Sequence, residues 1–123
     1  MGKTHKDLDI WQRGIELVAQ IYQATRTFPR DEEYGLKSQM RRAAVSYPSN
    51  IAEGAARASR REYTQFLHIS LGSLSELETQ VIIAERLGYL EGTSLLEDVE
   101  ALRRKTLNLI KYMKTGRSEG TGR

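Results

Sequence analysis

The chain has 123 residues, 39% of them hydrophobic and 28% charged, with two prolines and no cysteine. That length suits one folding unit with one core, and the missing cysteine excludes disulfides, thiolate-bound zinc and iron–sulfur ligation. The first residues carry no apolar signal run, and no later run approaches the roughly 20 apolar residues of a membrane span, so a soluble cytoplasmic protein is expected.

The formal net charge is only +3, but its distribution is uneven. Residues 1–25 hold three basic and three acidic groups, residues 26–61 eight and four, residues 62–100 one and eight, and residues 101–123 seven and one. The blocks alternate neutral, basic, acidic, basic, and each coincides with one predicted helix.

The first helix is expected over 7–27. Leu8, Trp11, Ile15, Val18 and Tyr22 form one stripe at spacings of three and four, and Ile10, Gly14, Leu17, Ile21, Ala24 and Phe28 form a second beside it. Together they span an arc of about 160°, wider than the stripe of an ordinary surface helix, so this helix should meet more than one neighbour. Pro29 ends it.

The second helix is expected over 36–57. Leu36, Met40, Ala43, Ala44, Tyr47, Ile51 and Ala55 form its apolar side, and Ser46, Ser49, Ala52, Gly54 and Ala56 keep it thin enough for close approach. Pro48 falls in its middle, where it removes a hydrogen bond and crowds the Ala44 carbonyl. The helical spacing persists on both sides, which predicts a kink rather than a break.

Ser59-Arg60-Arg61-Glu62 reads as a capping box opening a third helix over 60–87, closed by Gly88 in the left-handed conformation. A fourth helix is expected over 94–114, with Ser94 or Thr93 as its cap and Gly116 beyond its end. Residues 117–123 read as a flexible tail. Four amphipathic helices with short connections predict one all-α domain over residues 1–116, an antiparallel up-down-up-down four-helix bundle.

The pattern offers little for catalysis. A di-metal carboxylate bundle needs Glu-x-x-His pairs, but the chain has only His5 and His68, and Gln65 stands three before His68. No phosphate-binding glycine loop or nucleophile elbow appears. Glu76 and Glu78 lie two residues apart and cannot share a helix face. No catalytic residue, metal or cofactor is assigned.

The densest polar constellation runs from the second helix into the third: Gln39, Arg41, Arg42, Ser46, Asn50, Glu53, Arg57, Arg60 and Arg61. Arg42, Ser46, Asn50, Glu53 and Arg57 share one face. An arginine-lined strip of this kind suits RNA or DNA phosphates, with Gln39 and Asn50 adding hydrogen bonds. Alternatively, the arginines pair with Glu53 or with the acidic third helix, of the same or another subunit. Arg103, Arg104 and Lys105, with Lys111 and Lys114, form a second basic surface that would also oppose a helix macrodipole.

The run from Tyr34-Gly35-Leu36 through Gln39-Met40-Arg41-Arg42 and Ser46-Tyr47-Pro48-Ser49-Asn50-Ile51-Ala52-Glu53-Gly54 strongly resembles the signature of one family. These are the four-helix-bundle proteins encoded in intervening sequences of bacterial 23S ribosomal RNA genes. Trp11, Phe28-Pro29, Arg57 through Glu62, and Gly72-Ser73-Leu74-Ser75-Glu76-Leu77-Glu78 extend the resemblance over nearly the whole chain. Ala55-Ala56 departs from it, where bulkier residues are expected. The resemblance implies a ring-like homopentamer without catalytic residues. It also brings a similarity to accessory proteins of diversity-generating retroelements, which are associated with nucleic acid and a reverse transcriptase. The expectation is therefore a non-enzymatic oligomer serving as a nucleic-acid or ribonucleoprotein accessory factor, or else a protein-interaction scaffold.

Overall fold

A computed structural model describes residues 4–116. Its helices are α1 (Asp9–Thr25), α2 (Leu36–Ala55), α3 (Arg60–Arg86) and α4 (Thr93–Thr115), with single 3-10 turns at His5–Asp7 and Arg30–Glu32. No strand occurs among the described residues, and each helix begins and ends within two residues of its expected bounds. The tail expected at 117–123 lies outside the described residues.

Contacts along the chain set an up-down-up-down order. Arg41 of α2 reaches Tyr22 and Thr25 of α1, Ser70 and Ser73 of α3 reach Tyr47 and Ser46 of α2, and Lys105 of α4 pairs with Asp9 of α1. Gly14 of α1 lies against Tyr47 of α2, Leu17 shares a groove with Leu102 of α4, and α3 meets α4 at Arg60–Tyr112 and near Val81–Gly92. The numbers run in opposite directions in every pair, so neighbouring helices are antiparallel.

Of the two apolar stripes on α1, only one turns fully inward. Ile10, Gly14, Leu17, Ile21 and Phe28 are buried, whereas Ile15 and Tyr22 remain 44% and 42% exposed. The inward stripe meets Met40, Ala43, Ala44, Tyr47 and Ile51 of α2, Leu67, Leu74, Leu77, Val81 and Ala84 of α3, and Leu95, Val99, Leu102, Leu109 and Ile110 of α4. Each fully buried Leu or Ile contributes about 1.5–3 kcal/mol, so this layer dominates the stability of the bundle.

Small residues let α2 pack tightly. A Cβ added at Gly54 would lie 2.8 Å from the Phe66 Cβ and 3.2 Å from the Tyr63 carbonyl oxygen, so only glycine fits that crossing. One at Gly14 would lie 2.9 Å from the Tyr47 ring. Across Pro48, α2 is continuous. Around it, polar side chains crowd the backbone: Asn50 Nδ2 donates to Ser46 O at 2.9 Å, and Ser70 Oγ donates to Tyr47 O at 2.9 Å.

The helix ends follow their sequence signals, with two differences. Ser59 Oγ accepts from the Glu62 amide at 3.1 Å, forming the serine half of the expected box; the reciprocal bond is absent among the described residues. Gly88, at φ 79°, closes α3 as expected. The Tyr89 amide donates back to Ala84 O and the Gly88 amide to Glu85 O, which satisfies two of the last carbonyls. At α4, neither Ser94 nor Thr93 caps: Gly92 holds the cap position, and its amide donates to Glu85 Oε2 at 3.3 Å. Glu91 accepts from the first amide of the helix, Thr93, at 3.3 Å, so carboxylates rather than a hydroxyl meet this helix start. Glu32 does the same for α2, accepting from the Leu36 amide at 2.9 Å and from the Tyr89 hydroxyl at 3.1 Å, which ties the two connections at that pole together.

Candidate nucleic-acid interface

The eight basic residues singled out by sequence do not form one surface. Arg41 lies between α1 and α2: its Nε donates to Thr25 Oγ1 at 2.9 Å, its Nη2 donates to Tyr22 O at 3.0 Å, and its guanidinium stacks 4.2 Å from the centre of the Tyr22 ring. Its partners are all neutral, so its charge stays uncompensated. Arg42, the next residue, is exposed and makes no hydrogen bond or ion pair with any described residue. Arg103 and Arg104 both bind the Glu100 carboxylate, and Lys105 pairs with Asp9 at 3.1 Å.

Asp9 is a junction of this α1–α4 contact. Partial burial raises its carboxyl, but hydrogen bonds from Lys105 and Arg13 outweigh that and hold it below the usual carboxylate range.

Arg57, Arg60 and Arg61 gather elsewhere. The chain order brings the end of α2, the start of α3 and the end of α4 to one pole of the bundle, where Lys111 and Lys114 also lie. Arg57 pairs with Glu53 at 2.8 Å and sits 4.8 Å over the Phe66 ring. Arg60 Nη1 approaches the Tyr112 and Met113 carbonyls at 3.4 and 3.3 Å, opposing the negative end of α4. Arg61 is exposed and has no hydrogen-bond or ion-pair partner among the described residues. Among the described residues Asp9, Glu53 and Glu62 are the acids on these helix ends, against the five cations, so this pole is basic.

The other motif residues serve the α2–α3 seam. Asn50 binds Ser46 through both its carbonyl and its hydroxyl, and Ser73 Oγ donates to Ser46 Oγ at 2.8 Å. Gly54 permits the helix crossing, and Pro48 is buried. Gln39 is exposed, and Glu76 is an exposed acceptor for Gln80 at 3.5 Å. The expected ion pairing between basic α2 and acidic α3 does not occur among the described residues. Hydroxyls and an amide hold that seam, because the charges of both helices point outward from it.

Sequence reasoning missed the residues around Arg41 and Arg42. Tyr22, Glu33, Tyr34, Lys37, Ser38 and Val45 join them and the already noted Ser46 in lining an open groove of about 630 Å³. Tyr34 is 95% exposed. An aromatic side chain in a polar turn was the available signal, because nothing in the helical pattern asks for one there. Among the described residues, no group of three or more His, Asp or Glu side chains is placed to hold a metal ion. No helix among the described residues is long and apolar enough to cross a membrane.

Comparison with known proteins gives a consistent result. The family model for 23S rRNA-intervening sequence protein matches residues 6–113. A crystal structure of a protein of unknown function from the S23 ribosomal protein family of Bacteroides thetaiotaomicron superposes with a TM-score of 0.75 at 21% identity, covering 83% of this chain and 98% of that one. That likeness speaks for the fold. No curated protein is significantly similar.

Proposed function

We propose that this chain, which belongs to the 23S rRNA-intervening sequence protein family, is a non-enzymatic cytoplasmic accessory protein that self-assembles and binds RNA through its basic pole. The observation that carries this reading is the convergence of Arg57, Arg60, Arg61, Lys111 and Lys114 at one end of the bundle. Helices far apart in sequence contribute these five cations, and among the described residues Asp9, Glu53 and Glu62 are the carboxylates on the helix ends at that pole. Cations so grouped bind phosphates by displacing counterions, without reading sequence.

Self-assembly into the ring-like homopentamer that the family resemblance implies is supported by apolar side chains left outside the core. Ile15 and Tyr22 on α1 and Ile69, Ile82, Ile83 and Leu87 on α3 are each more than 40% exposed. Light scattering should then give a mass of about 70 kDa, five chains of 14.0 kDa.

The test uses a structured RNA hairpin titrated at several salt concentrations. Wild-type affinity should fall steeply with salt, and the double variant Arg61→Glu, Lys114→Glu should bind at least tenfold more weakly with a shallower slope. Neither side chain supports the fold, so the variant stays folded. Absent or salt-insensitive binding at low ionic strength overturns the nucleic-acid reading. The alternative is then a protein-interaction scaffold. In that alternative the arginines serve subunit contacts; the intrachain partners of Arg41, Arg57, Arg60, Arg103, Arg104 and Lys105 weigh only against phosphate contact there.

A further inference from the structure

We infer that the groove between α1 and α2 is a second nucleic-acid site that takes one unpaired nucleotide of a single-stranded RNA, its base stacked on Tyr34 and its phosphate held by Arg42 and Arg41. In naming RNA, this rests on the reading above; in place and chemistry, it is separate from the basic pole.

Charge comes first. The groove is lined by Lys37, Arg41 and Arg42 against one acid, Glu33, whose carboxylate is already taken by Lys37 at 3.1 Å. Arg41 is fixed by two bonds to neutral oxygens, so its plane is set while its charge remains unspent. Arg42 has no hydrogen-bond or ion-pair partner among the described residues. Two arginines lining one groove whose single carboxylate is already paired attract an anion, and their planar forks match phosphate oxygens.

The second observation concerns the aromatic. Tyr34 is 95% exposed, while every other aromatic that lines or borders the core is at least half covered. A tyrosine ring in water at the rim of a cationic groove is a platform for a planar group, and base–aromatic stacking tolerates any base. Duplex RNA cannot use it, because its bases are stacked inside the helix. An acidic peptide would match the charges but leave the ring unused.

The experiment measures fluorescence anisotropy of a labelled CA-repeat RNA of twelve nucleotides, with a blunt hairpin for comparison, on the full chain. Tyr34→Ala and Arg42→Ala should each weaken single-strand binding about tenfold and leave hairpin binding unchanged, whereas Tyr34→Phe should bind as the wild type does. Arg61→Glu, Lys114→Glu should weaken both RNAs. Wild-type affinity of Tyr34→Ala for the single strand overturns the groove while leaving the basic pole standing. Absent hairpin binding by the wild type, with Tyr34-dependent single-strand binding present, does the reverse. A labelled oligo-aspartate peptide bound as tightly as the RNA, or an oligomer mass lowered by Tyr34→Ala, also overturns the inference, in favour of an acidic peptide or a second copy.

Discussion

The Tyr47 hydroxyl lies 2.7 Å from Thr106 Oγ1, joining diagonally opposite helices through the centre of the bundle. Thr106 also bonds Leu102 O at 2.7 Å, which uses its single hydroxyl proton, so the phenol is the donor to threonine. The same tyrosine lays its ring over Gly14 of α1 and accepts at its carbonyl from Ser70 of α3. One residue of α2 thus touches all three other helices.

That donor assignment predicts an asymmetry. Thr106→Val leaves the buried phenol without an acceptor and should cost about 1–3 kcal/mol, the penalty of an unsatisfied buried group. Tyr47→Phe leaves Thr106 still bonded to Leu102 and should cost about 1 kcal/mol. Urea unfolding of the two variants checks this; a larger loss for Tyr47→Phe would reverse the assigned direction.

Burial also pushes the Tyr47 phenol well above its ordinary value. Since the folded state then holds the proton more tightly than the unfolded chain, this tyrosine's contribution is complete below about pH 10 and is lost as pH rises beyond it. Tyr63 and Tyr89 are raised too, with burial the leading cause in each. Thermal melts should show stability falling above pH 10, and Tyr47→Phe should flatten that fall without abolishing it.

Two glycines should answer to alanine in opposite directions. Gly54→Ala forces a methyl group against Phe66 and the Tyr63 carbonyl, and should destabilise by about 1–3 kcal/mol. Gly72 has nothing within 4 Å of its missing Cβ, so Gly72→Ala in mid-α3 should gain up to about 1 kcal/mol from helix propensity. Melting temperatures separate the two; a loss at Gly72 would mean that another chain covers that face.

Arg41 and Arg42 are adjacent but not equivalent. Arg41→Ala removes two bonds that tie α2 to α1 and should cost about 1–2 kcal/mol, and Arg41→Lys should recover little of it because one ammonium cannot reproduce the fork. Arg42→Ala should leave stability within about 0.5 kcal/mol. Denaturant midpoints of the three variants are the measurement.

Much of the fold was legible because helical periodicity is a local property. The three- and four-residue spacings of α1 to α4, the serine before α3 and the glycines after α3 and α4 each act within a turn or two. The α4 start was not fully legible: Glu91, which accepts from the Thr93 amide, is local, but Glu85, which accepts from Gly92, belongs to the preceding helix. Nor could the sequence separate the two stripes of α1, as both are apolar and only packing decides which turns inward.

For the candidate site, the sequence by itself determined which side chains carry charge, that α2 is basic and thin, and to which family's signature the chain conforms. The tertiary structure decided where those charges lie. It placed Arg41 against Tyr22, Arg57 beside Glu53 and Lys105 beside Asp9, and left Arg42 and Arg61 facing water. The physical reason is distance. A helix face can be read from residues four apart, but an arginine's partner is fixed by whatever side chain the fold brings within about 4 Å, often from another helix.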